Sequence, residues 1–245
     1  MFIAPPPRRP CDSLPLILLR GEPPLRVITA FVCLCLPFPV ESAESSKVQF
    51  WSQTNVGCTP TLVVGYGTIE GENYWYQHSE VWKHPILSHF VPPRLLQARA
   101  VRRTMAPEED YGHAANAAIG KRLADAGVLV HTGAYGQREG LATHWEMWMF
   151  VQGGMSPLEA LEAATIAPAE YLGLDADLGS LTPGKLADLV VIDGDITRDI
   201  RVSDKVTHVM LNGRLFDAAT LNETLTGNRV TGPFYWHGRP ESGIR

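Results

Sequence analysis

Residues 153–195 read GGMSPLEALEAATIAPAEYLGLDADLGSLTPGKLADLVVIDGD, and the order of local signals in this stretch decides the fold class. Ser156-Pro157-Leu158-Glu159 has the form of a capping box. The serine hydroxyl accepts from a first-turn amide, the glutamate reaches back to the cap, and proline fills the first helical position. Leu158, Leu161, Ala164 and Thr165 then share one helical face, Pro168 predicts a pause, and Gly173 predicts the stop. Pro183-Gly184 marks a turn, and Lys185 and Asp188 flank it as structural charges. Beyond it the pattern becomes β, with Leu186 to Asp193 as an apolar run bounded by turn residues.

Downstream, Val206 to Asn212 is a second strand run, and Gly213 followed by Arg214-Leu215-Phe216 signals a hairpin. Upstream, Thr143-His144-Trp145-Glu146 also has the capping-box form, which makes Glu146 a cap residue and His144 a first-turn residue of a helix ending at Gly153-Gly154. Val128 to His131 reads as a strand. A helix before it carries Tyr111, Ala115, Ala118, Ile119 and Leu123, opens on Pro107 and three acids, and ends at Gly127. Thr61 to Gly65 reads as an earlier buried parallel strand. Residues 68–106 read as a long aromatic loop in which His78, His84 and His89 pack beside Trp75 and Trp82. Two parallel-type strands thus precede the β segment, and a closed (β/α)8 barrel needs eight.

The chain has 245 residues, 45% hydrophobic and 19% charged, with a formal net charge of -5. That balance lacks the clustered basic face a nucleic-acid partner would need. The cysteines, Cys11, Cys33, Cys35 and Cys58, form no zinc-type CxxC pair. Residues 1–46 are rich in proline and read as an irregular leader. Within it, residues 27–40 form an uncharged run too short to span a bilayer, which resembles a signal-peptide core and leans the chain toward an extracytoplasmic location; a leader with no structural role fits equally well.

The stretch quoted above, with VMLNGRLFD at 209–217, resembles the C-terminal signature of the amidohydrolase superfamily. Residues 60–85 (PTLVVGYGTIEGENYWYQHSEVWKHP) and residues 102–149, from RRTMAPEEDYG to THWEMWM, are similar to the closing barrel segments of imidazolonepropionase-like metal-dependent hydrolases, in the subgroup joined to Tol-type β-propellers. The resemblance implies an α/β fold: a partial TIM barrel holding the last two strand–helix units, plus strands of a small β-sandwich. It divides the chain into the leader at 1–46, barrel residues at 47–174, sandwich strands at 175–222 and an irregular tail at 223–245.

The resemblance also implies hydrolysis of carbon–nitrogen bonds in small amide or lactam substrates, with Zn or another divalent metal activating water in the complete family. His-x-His, which the family uses as a metal pair, does not occur in this sequence, and Tyr135 stands where the family's last-strand acidic ligand usually stands. A phenol is a poor ligand at neutral pH. His131, Tyr135, Gln137 and Glu139, at the C-terminal end of a parallel strand, are the candidate site residues, and a polar loop capping a helix is the simpler account of them. No metal ligand and no transmembrane segment is assigned. The expectation is a chain that holds the closing end of a barrel and needs another chain to complete it, or alternatively a non-catalytic remnant.

Overall fold

A computed structural model describes residues 41–65, 68–227 and 230–237, all within the unit Val32–Arg245. The signal-like run at 27–40 and most of the leader lie outside the described residues.

The first described element is a helix, α1 (Glu41–Ser52). Its first half falls in the stretch read as irregular, where the sequence ESAESS contains no proline to stop a helix. The first parallel strand proves to be one bridge at Cys58, paired with Val130, and Thr61 to Val64 instead form a turn. The apolar run was misread because its side chains are buried in a turn: Leu62 and Val63 are fully covered, and Thr61 takes a positive φ of 48° that breaks any strand. Cys58 is buried at the bridge, and burial pushes its thiol up to about 11.

The stretch at 68–106 is helical rather than loop-like. It holds α2 (Gly71–His78), a 3-10 turn at Val81–Lys83, α3 (Pro85–Phe90) and α4 (Pro93–Val101). The prolines that suggested a loop sit at the first turns of α3 and α4, where a missing amide costs nothing. The three histidines serve local structure. His84 Nδ1 caps α3 by accepting from the Leu87 amide at 3.3 Å, His78 stacks on Tyr74 and meets Glu108 at 2.7 Å, and His89 packs on Phe90 and Phe234.

Pro107 precedes a 3-10 turn at Glu108–Asp110, and α5 (His113–Asp125) follows, ending before Gly127 at φ 86°. After the Val130 bridge comes α6 (Ala142–Gln152), then α7 (Pro157–Ala164) and α8 (Ile166–Leu172). The Ser156/Glu159 capping box forms as the sequence indicates, and Gly173 closes α8 in the left-handed conformation. The pause falls at Thr165 rather than at Pro168. The Pro168 ring would collide with the carbonyl four residues earlier, so the helix breaks one turn ahead of the proline.

Helix α6 is the centre of the packing. Trp145, Met147, Trp148, Met149 and Phe150 are all buried, and α6 lies against α5, α7, α2 and the 3-10 turn Ile200–Asp204. Trp75 meets Trp148 edge-on at 5.0 Å, and the Arg201 guanidinium lies 4.7 Å and 4.5 Å from the centres of those two rings.

The β segment forms one antiparallel sheet in the order β1 (Leu189–Ile192), β2 (Val206–Leu211), β3 (Arg214–Asp217). Asn212 and Gly213 join β2 to β3 with φ values of 49° and 74°, the two positive angles of a tight hairpin turn. Lys185 and Asp188 are structural, as expected: the Lys185 ammonium donates to the Asp175 and Leu178 carbonyls, and Asp188 accepts from the Asn212 amide at 2.6 Å.

Candidate functional site

Cys58 and Val130 bring two parallel segments together, through bonds from the Cys58 amide to the Leu129 carbonyl and from the His131 amide to the Cys58 carbonyl, each 2.8 Å. Beyond the C-terminal ends of these segments lie two tight loops, Thr59 to Gly65 and Thr132 to Gly140. In α/β folds this is the end at which chemistry is placed.

His131 occupies the junction with 5% of its surface exposed. Its Nδ1 is 3.3 Å from Thr59 Oγ1 and its ring packs on Tyr171 at 4.8 Å. The Cε1–Nε2 edge is turned to Gly57, where a side chain would fall well inside contact distance of the ring. Only glycine fits there, and Nε2 is left buried without a hydrogen-bond partner. Burial holds the imidazole below its ordinary pKa, so it is neutral at neutral pH.

The residue that links the two loops is Glu146, read from the sequence as a helix cap. It caps nothing: α6 begins at Ala142, and its N-cap, Leu141, makes no side-chain bond. The Glu146 side chain is wholly buried, and Oε1 accepts from the Val63 amide at 2.7 Å. The Leu62 and Gly133 amides also act on this carboxyl, while Oε2 has no full hydrogen bond. Desolvation outweighs these contacts and raises its pKa to about 8. The one sequence signal for this placement is its setting, a single acid inside Trp145-Glu146-Met147-Trp148-Met149-Phe150, where every neighbour is large and apolar.

The other candidates are not gathered around His131. Tyr135 is 60% exposed at a positive φ of 51°, Glu139 is exposed, and Gln137 is drawn toward Arg99, whose Nη1 donates to Gln137 Oε1 at 3.2 Å. His144 turns away, with Nδ1 3.1 Å from the Ser203 hydroxyl. Among the described residues no group of three or more His, Cys, Asp or Glu side chains could hold a metal ion. The metal that the family resemblance implies therefore does not fit the described residues: the buried imidazole presents its orphan nitrogen to a glycine, and the expected acidic position carries a phenol.

The model of the amidohydrolase family matches residues 87–216, more than half of the chain. An adenine deaminase of Desulforamulus reducens is 44% identical over 62 residues, 25% of this chain and 10% of that protein, and one of Methanosphaera stadtmanae is 48% identical over 60 residues, 24% and 10%. The matched stretch thus spans about a tenth of the length of these curated relatives. Among solved structures, a Xaa-Pro dipeptidase with methionine bound in its active site aligns over 70% of this chain and 37% of its own, at 21% identity and a TM-score of 0.47. The capping box, the Gly173 stop, the Pro183-Gly184 turn and the hairpin all lie within the matched span, and by that match the chain belongs to the amidohydrolase family.

Proposed function

We propose that this protein takes part in hydrolysis of carbon–nitrogen bonds in small amide or lactam substrates, and that residues 47–174 represent the last two strand–helix units of a (β/α) barrel, with 175–222 as sandwich strands. The match to the amidohydrolase family over residues 87–216 carries this reading. The parallel Cys58/Val130 pair, joined by a helical crossover and followed by α6, supports the barrel part. The placement among imidazolonepropionase-like hydrolases joined to Tol-type propellers rests on the segments at 60–85 and 102–149 alone.

In this reading His131 and Glu146 shape the floor beneath the loop and Tyr135, Gln137 and Glu139 present polar groups above it. Both buried groups are neutral at pH 7, so they contribute hydrogen bonds and shape rather than charge. The described residues supply no metal ligand set, and a barrel completed by another chain would bring the water-activating group. The test is a panel of cyclic and linear amides incubated with the protein isolated together with its natural partners, in the presence of Zn2+ or Mn2+, with release of amine or ammonia as the readout. Hydrolysis of one chemical class is expected. Failure to release amine or ammonia from any member removes the reading.

A further inference from the structure

Glu72, in the first turn of α2, is buried, and a carboxylate taken out of water costs several kcal/mol unless a cation and hydrogen bonds compensate it. Arg99 of α4 supplies that cation: its Nη1 pairs with Glu72 Oε2 and also reaches Gln137. The Tyr76 hydroxyl, one turn further along α2 and itself buried, interacts with Glu72 and accepts from Arg138 Nε at 2.8 Å. Arg138 has no carboxylate partner among the described residues; its Nη2 meets only the Leu95 carbonyl at 3.5 Å.

A staple between α2 and α4 would be complete with Glu72 and Arg99. The network instead ties one buried acid to two guanidiniums, beside the loop that carries Tyr135, Gln137 and the exposed Glu139. The Arg99 side chain is half exposed, and only its Nη1 is engaged by described residues, so further donors of a fixed fork face solvent. Two buried groups, Glu72 and Tyr76, thus hold two arginines in place before any ligand arrives, which lowers the ordering cost of binding.

We propose that Arg99 and Arg138 form a recognition site for the carboxylate of a small anionic amide, a substrate class that rests on the carbon–nitrogen hydrolase reading above. The planar guanidinium fork donates in parallel to both oxygens of a carboxylate. Inorganic phosphate, which a guanidinium also binds, is the competing occupant that the test separates.

The test compares N-acetylglycine with N-acetylglycinamide, which share an amide skeleton and differ in the carboxylate, with inorganic phosphate as a third probe. Binding to the full chain is measured by calorimetry and by the arginine side-chain NMR signals. The acid is expected to bind saturably and shift the Arg99 and Arg138 signals, with the amide and phosphate about tenfold weaker or more. Arg138→Gln leaves the Glu72–Arg99 pair intact and is expected to weaken the acid about tenfold while leaving the amide unchanged; Arg138→Lys, which keeps charge and loses the fork, falls between them. Equal binding of acid and amide, equal or tighter binding of phosphate, or an Arg138→Gln variant that holds the acid as well as the parent overturns the proposal. Because turnover is not read, this failure is separate from failure of the hydrolysis assay.

Discussion

Glu146 shows how a single position can be read correctly in its local pattern and wrongly in its role. Four residues, Thr-His-Trp-Glu, satisfy the capping-box form, but the carboxyl is spent on the Val63 amide 83 positions away. Nothing in the local spelling encodes that partner. Its titration gives a direct check. The folded-state pKa, about 8, lies above the ordinary 4.5, so the native state holds the extra proton between those values. This group's contribution is therefore most favourable below pH 4.5, declines as pH rises through the window, and is lost above about 8. The slope from this group is about 1.4 kcal/mol per pH unit. Urea denaturation of the parent and of Glu146→Gln at several pH values is expected to show a difference between them that changes with this sign; parallel pH profiles would refute it. Gly57→Ala is the second test at this scale: a methyl against His131 costs about 1–3 kcal/mol by overpacking, and His131→Ala in the same background recovers part of that loss in a double-mutant cycle.

At the scale of elements, the parts legible in the sequence are those whose chemistry is local. The α7 capping box, the Gly173 stop and the Asn212-Gly213 hairpin each need only backbone geometry and the residues beside it, and each forms where the spelling places it. Ser156→Ala is expected to cost about 1 kcal/mol, measured as a fall in melting temperature, because the Glu159 amide loses its 3.2 Å acceptor. The stretch at 68–106 was illegible for the opposite reason. Its helices are short, from six to nine residues among α2, α3 and α4, so none shows a sustained period, and proline at a helix start looks the same as proline in a loop until the helix is seen. The candidate site was legible only in part: His131 is singled out by its position after a short apolar run, whereas Arg99 and Glu72 meet only through packing of two helices, 27 positions apart.

For the whole molecule, the family was legible because its signature clusters at 153–217, and the chemistry was not, because the described residues do not converge on a metal. The sheet carries a further consequence. β1 is an edge strand, and Val190 and Val191, on its opposite faces, are 53% and 41% exposed. Unpaired edges with apolar side chains invite pairing with another chain. Sedimentation of the purified protein is expected to show mass increasing with concentration, and Val190→Lys to reduce that increase; identical behaviour of the two proteins would remove the edge as its cause.

Cys58 gives the parallel pair its own clock. The thiol sits at the bridge between the two loops, buried and held mostly protonated by a pKa near 11, so an alkylating reagent reaches it only when the pair parts. The rate at which mass is added to the Cys58 peptide, set against the rate for an unfolded chain, then measures how often the floor under the candidate site opens. Saturating N-acetylglycine, seated on Arg99 and Arg138 beside the loop that follows the pair, is expected to slow that clock, so that ligand occupancy would be read as time at a sulfur.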